Sequence, residues 1–238
     1  MDLVTHDAKS FFTPYFYNSP IRIIPVIAFI VAVCIAACKP AKVAAIPQGM
    51  LVVDSLPTAL YLVDSAVAVK ILSADAVQLT AGKGTDLHNP ASGAFRKSNA
   101  PKLLFSPHQN FDLWVKVAPQ FKNRYDGGAI ILYSDRANWA KLLFQYTGSG
   151  YVTGMSVVKN YQTDDSYYPA PDTAALYLRL KKVKDVCSFY TSVNGQQWNL
   201  TRQFTYTLKE KTSAGFYAQS PVGNECAVLF SEIRYKPL

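Results

Sequence analysis

Apolar and polar residues alternate along most of this chain. From Ala76 to Tyr235, runs of period two are broken by turn-forming residues every 8 to 12 residues or roughly so, the spacing of a sandwich or barrel. The pattern predicts strands at Ala76 to Thr80, Lys102 to Phe105, Phe111 to Val117, Ala129 to Tyr133, Trp139 to Tyr146 and Tyr151 to Lys159. After a polar stretch, Asn160 to Thr173, it predicts Ala175 to Lys182, Val186 to Val193, Trp198 to Phe204, Thr212 to Gln219 and Ala227 to Tyr235. No window of helical spacing competes. Asn194-Gly195 suits a type I′ hairpin turn, because both residues tolerate positive φ. The expectation is an all-β fold.

Alternation also assigns faces. Phe111, Leu113, Val115 and Val117 point to a core, and Asp112, Trp114 and Lys116 away from it. Ala140, Leu142, Phe144 and Tyr146 point in; Trp139, Lys141, Leu143 and Gln145 point out. Leu176, Leu178 and Leu180 point in; Tyr177, Arg179 and Lys181 point out. If these strands share a sheet, its non-core face gathers Trp114, Trp139, Lys141, Gln145, Tyr177 and Arg179. Sugars stack their apolar CH faces on aromatic rings and hydrogen-bond amides and charged groups, so this face is a candidate carbohydrate-binding surface. On that reading Trp139→Ala weakens glycan binding and leaves the fold intact. The opposing reading has the aromatics covered by the long segments Thr80 to Ala100 and Asn160 to Thr173.

The N-terminus breaks the pattern. Ile23 to Ala37 is uncharged and mostly apolar, preceded by Arg22. It is shorter than the roughly 20 residues of a membrane span and suits the core of a secretory signal. It ends in Ile35-Ala36-Ala37-Cys38, which resembles a bacterial lipobox with Cys38 as the lipidated residue. The expected layout is a lipoprotein signal peptide over residues 1–38, a tether with a possible edge strand over 39–65, and a β-sandwich over 66–238. The expected address is the cell envelope, lipid-anchored to the outer membrane or cell surface, with the periplasmic face of the inner membrane as the alternative. An uncleaved anchor helix is the other reading of the apolar run.

Composition agrees with strands: 13 Asp stand against three Glu, and 15 Tyr are present, whereas helical surfaces favour Glu. The net charge of +8 lies wholly outside residues 1–38. Export argues against a nucleic-acid partner for this basic surface. Cys187 and Cys226 share parity with core residues on their strands, so a disulfide between them is possible, with two buried free thiols as the alternative. No Cys/His spacing points to a metal, and no cofactor is expected.

The order of motifs carries a resemblance. The run FDLWVKVAPQFKNRYDGGAIILYSDRANWAKLLFQY, then SVVKN, a DD pair, SVNGQQW and AGFYAQSP resembles the concanavalin-A-like lectin/glucanase domain family of unknown function 1349, which includes a fungal regulator-of-enolase protein. Tyr125, Asp126, Gly128, Trp139 and Lys141 fall on its motif positions, and Gly84-Thr85-Asp86-Leu87 is similar to its upstream motif. Gln145 stands where the family has Glu, Lys159 where it has Thr, and Asn194 where it has Asp. The resemblance implies a jelly-roll sandwich of two antiparallel sheets and no defined reaction. It adds Tyr125 and Asp126 to the carbohydrate-binding candidates.

Three functions stay open: a glycan-binding lipoprotein, an envelope adaptor contacting protein, and a glycoside hydrolase. Hydrolysis usually needs two facing carboxylates. No Glu precedes Glu210, Asp164-Asp165 is the one adjacent acid pair, and no catalytic residue is assigned.

Overall fold

The computed structural model describes residues 51–238. The signal segment 1–38 with Cys38, and residues 39–50 of the tether, lie outside the described residues. Sixteen strands and no helix are present among the described residues. The front sheet runs in the order β1 (Tyr61–Val63), β6 (Lys102–Phe105), β15 (Ser213–Gln219), β8 (Gly127–Asp135), β9 (Asn138–Tyr146), β10 (Tyr151–Lys159) and β11 (Gln162–Pro169). The back sheet runs β14 (Asn199–Thr205), β13 (Val186–Ser192), β12 (Leu176–Val183), β7 (Phe111–Pro119), β16 (Glu225–Pro237), β3 (Ala76–Gly82) and β2 (Ala68–Ser73). Two short strands, β4 (Leu87–His88) and β5 (Lys97–Ser98), pair with each other inside residues 83–100, hereafter the flap. Every pairing is antiparallel, and the two large sheets form a jelly-roll-type sandwich.

The predicted alternation builds this core. Leu103, Ile130, Leu132, Leu142, Phe144 and Phe216 from the front sheet meet Leu113, Val115, Leu178, Phe189 and Phe230 from the back sheet. Phe216 and Phe230 lie 5.0 Å apart, centroid to centroid. Each of the eleven predicted strands overlaps an observed one. Two segments differ. The polar stretch after Lys159 contains β11, an edge strand paired to β10 alone, which needs little apolar character because much of it faces solvent. Residues 51–65 belong to the sandwich: Leu51, Val53 and Leu60 are buried in its core, and β1 pairs with β6.

The possible disulfide is corrected. Cys187 and Cys226 are both buried in the common core, as parity predicts, but both are free. Cys187 lies on β13 and Cys226 on β16, with β12 and β7 between them. Three strand spacings of about 4.8 Å put them ~14 Å apart, whereas a disulfide needs Cα atoms within about 7 Å. Burial pushes each thiol up to about 12, so neither is nucleophilic at neutral pH. Alkylation of the protein unfolded without reductant therefore labels both cysteines, and alkylation of the native protein labels neither. A linked Cys187–Cys226 peptide in non-reduced digests is the contrary result.

Candidate functional site

The site lies on the face of the front sheet turned away from the core. Register sets its side chains in rows that cross five strands. One row runs Gln219, Gly127, Gln145, Val152, Pro169; the next runs Tyr217, Ala129, Leu143, Gly154, Tyr167. The third runs Gly215, Ile131, Lys141, Ser156, Asp165, and the fourth Ser213, Tyr133, Trp139, Val158, Thr163. Leu87 and Ala100 of the flap pack on Ile131, Trp139, Val158 and Tyr217 to form a second apolar cluster.

Two buried lysines hold the flap. Lys141 Nζ donates to the Leu87 carbonyl at 2.5 Å and to Tyr217 Oη at 3.4 Å. The same ammonium sits 5.4 Å from the ring centroids of both Trp139 and Tyr217. It forms no ion pair among the described residues. Burial lowers its pKa, opposed by the charges of Asp86 and Asp165. Lys102 Nζ donates to the Ala100 carbonyl at 2.7 Å and pairs with Asp64 at 2.6 Å. Burial lowers its pKa too, against the bond to Asp64.

The flap leaves one end of this face open, and a cleft of about 560 Å³ occupies it. That volume falls in the range of small-ligand sites. Its floor is Lys141, Leu143, Gln145 and Gln219; its walls are Asp86, His88 and Phe95 of the flap, Tyr167 of β11, and Tyr125, Thr147, Pro221 and Val222 of the loops. Phe95, Tyr167 and Val222 are exposed at the rim. Phe95 and His88 are tilted rings 5.6 Å apart. Although half of Tyr167 is exposed, desolvation on its covered side, with the charges of Asp165 and Asp86 acting the same way, raises its pKa to about 12, so the phenol stays a neutral donor.

Gln145 and Gln219 converge on one atom. Gln219 Nε2 donates to the Tyr125 carbonyl at 2.8 Å and Gln145 Nε2 at 3.4 Å. Tyr217 Oη donates to Gln219 Oε1. Gln145 Oε1 has no partner among the described residues. The amide explains why Gln fits: a carboxylate there would face the Tyr125 carbonyl oxygen. Tyr125 itself has a φ of 71°, a left-handed conformation that is uncommon for a non-glycine residue. The neighbouring Asp126 holds it. Its buried carboxylate accepts from the backbone N–H groups of Asn123 (2.8 Å) and Lys122 (3.1 Å) and from Ser220 Oγ (2.8 Å). Asp126 thus ties the loop before β8 to the loop after β15 and does not line the cleft.

The predicted single face is therefore corrected. Trp114 on β7 and Tyr177 and Arg179 on β12 lie in the back sheet, while Trp139, Lys141 and Gln145 on β9 lie in the front sheet. Among the predicted residues, Tyr125, Lys141 and Gln145 line the cleft. Trp139 is fully buried under the flap, with its Nε1 unpartnered. Arg179 makes two hydrogen bonds to Asp112 and lies between the rings of Trp114, Tyr190 and Trp198, 5.3 to 5.7 Å from their centroids. Tyr177 donates to Glu232 at 2.8 Å. These contacts occupy the back-sheet group with its own residues. Sequence reasoning missed Phe95, His88, Tyr167 and Gln219. Parity along Thr212 to Gln219 puts Gln219 on the outer face; the flap residues carry no such signal.

A model of the family described as "Protein of unknown function (DUF1349)" matches residues 65–238. The chain belongs to that family. Two DUF1349 motifs that are far apart in the chain meet here: Leu87, next to Asp86, is held by Lys141, two residues after Trp139. No curated protein matches the chain. Among solved structures, a functionally unknown protein from Saccharomyces cerevisiae is similar, with a TM-score of 0.69, 20% identity, and coverage of 75% of this chain and 96% of that one. The GH43 BlXynB protein from Bacillus licheniformis gives 0.55 and 18%, with coverage of 71% of this chain and 38% of that one. A xylan beta-1,4-xylosidase from Bacillus halodurans C-125 gives 0.52 and 15%, with coverage of 67% and 32%. This chain spans about a third of each of these two enzymes, and the likeness shows a shared fold.

Two outcomes follow from the flap. Trp139→Ala removes a fully buried indole and costs about 3–5 kcal/mol of stability, read by urea unfolding; an unchanged midpoint would mean that the flap does not cover it. His88 has its pKa lowered from 6.5 by burial, then by the charge of Lys141, opposed by Asp86 and Asp165. The unfolded chain then takes up this proton first, so stability is lost as pH falls below about 6.5 and levels off below the folded value. His88→Gln flattens that part of the pH–stability curve; an identical curve contradicts the assignment.

Proposed function

We propose that this protein is an exported envelope lipoprotein, anchored through Cys38, whose cleft binds a glycan without cutting it. The observation that carries the reading is the pairing of aromatic walls with buried amides. Phe95, Tyr125 and Tyr167 offer faces for the apolar side of a sugar ring. Gln145 Oε1 and the Asp86 carboxylate, neither with a hydrogen-bond partner among the described residues, offer acceptors for hydroxyls. Asp86 is the one carboxylate among the lining residues. Hydrolysis by the usual route needs two, about 5 to 10 Å apart, and Gln145 replaces the Glu that the family resemblance places on this strand. A sandwich of this fold also occurs within an enzyme named for xylan, as described above. The reading rests on the cleft rather than on that likeness.

Trp114, Tyr177 and Arg179 have no part in this site; Asp126 supports it from behind. The back-sheet residues would need to release Asp112 and Glu232 to contact a ligand.

A glycan array probed with the full-length protein in detergent tests the reading. Glycans bound by the wild type are expected to bind Tyr167→Ala about tenfold more weakly, the loss of ~1.4 kcal/mol that one aromatic contact supplies. Equal binding by the variant removes the cleft from the reading, and no bound glycan favours an adaptor that contacts protein. Cys38→Ala is expected to abolish lipid labelling and detergent-phase partition; unchanged partition excludes the anchor.

A further inference from the structure

We infer that the cleft takes the end of a glycan chain, one or two sugar residues deep, and excludes interior segments; this rests on the glycan reading above. A polymer bound along its length needs a groove open at both ends. Here the sheet face would supply such a groove, because its rows continue from Gln145 through Leu143 to Lys141 and Trp139. The flap closes it. Leu87 and Ala100 are fully buried on Ile131 and Trp139, and the Lys141 ammonium fixes the Leu87 carbonyl directly above the third row.

Two further sides carry walls. Opposite the flap stand Tyr125, Pro221 and Val222. Toward the sheet edge, the Tyr167 ring leans over Gly154: a Cβ on that glycine would lie 2.8 Å from Tyr167 Cε1. Any side chain at residue 154 would push the ring outward, so the glycine is what lets Tyr167 form this wall. The mouth opens to solvent between Phe95, Tyr167 and Val222. A chain that enters there meets a floor of Leu143, Gln145 and Gln219, with the flap across its way along the strands.

The chemistry at the blind end fits a chain terminus. A terminal ring carries a free hydroxyl where an interior ring carries a glycosidic oxygen. The glycosidic oxygen is an acceptor only, whereas the hydroxyl is also a donor. Gln145 Oε1 and the Asp86 carboxylate are acceptors and reward the donor.

The test is calorimetric titration of the full-length protein in detergent with linear β-linked oligomers of glucose, xylose and N-acetylglucosamine, one to six units long, and with a soluble long polymer of whichever sugar binds. The expected result is an affinity that levels off at the second unit, changing less than about twofold to the sixth, and a stoichiometry of one protein per polymer chain. An affinity that climbs tenfold or more between two and six units, or several proteins per polymer chain, overturns the end-binding inference and leaves the glycan reading standing. An absence of binding by all three series, with no hit on the array, overturns both.

Discussion

Two ammonium groups taken out of water to hold two backbone carbonyls are the constraint on which this site depends. Lys141 grips Leu87 and Lys102 grips Ala100, at the two ends of the flap. A flap of 18 residues (83–100) with only the two-residue strands β4 and β5 has little regular structure of its own. Its backbone groups need partners once they are laid on an apolar sheet face. The lysines supply donors that the sheet, whose own groups are spent on its ladder, does not. Lys141 meets its desolvation cost with aromatic rings on either side and no carboxylate, Lys102 with Asp64. Without these contacts the face would be an open sheet surface; with them it is a pocket.

The fold was legible because it depends on local periodicity. Alternation in β7, β9 and β12 assigns each side chain to the correct side of its strand, down to Trp114, Trp139 and Arg179 all pointing away from the core. What alternation does not carry is partnership between strands. β9 and β12 both present aromatic or cationic residues outward, but a sandwich has two outward faces, and these strands own one each. The order of motifs identifies the family without giving that pairing, since consecutive strands β7 and β8 cross from one sheet to the other. The disulfide failed for the same reason: parity brings Cys187 and Cys226 to one core, and strand order separates them by β12 and β7.

The site was legible only in part, and the boundary falls between strands and loops. Lys141 and Gln145 emerge from strand parity, and Tyr125 from its motif. Phe95 and His88 sit in the flap, where no period constrains them, and Tyr167 sits in an edge strand polar enough to read as a loop. Trp139 was the most conspicuous outward residue and proved fully buried. A large indole on a non-core face is either a ligand platform or the foot of a covering segment, and the length of Thr80 to Ala100 was the available clue to the second.

Tyr125 concentrates the remaining tension. A tyrosine at φ 71° costs energy that a glycine would avoid. Three parts of the chain share in holding it: the end of β9, the end of β15 and its own loop. Tyr146 accepts its N–H at 2.7 Å, Gln145 and Gln219 donate to its carbonyl, and Asp126 anchors the loop on either side through Asn123 and Ser220. Arg124 lies 4.6 Å from the ring centroid. A strained residue held by this many contacts is pre-positioned rather than adaptable, and its ring forms a cleft wall. The site thus presents a fixed shape, and affinity for a ligand that matches it costs little reorganisation. Selectivity would then come from the geometry of Tyr125, Tyr167 and the flap together, and Gln145 both holds Tyr125 in place and turns an acceptor to the cleft.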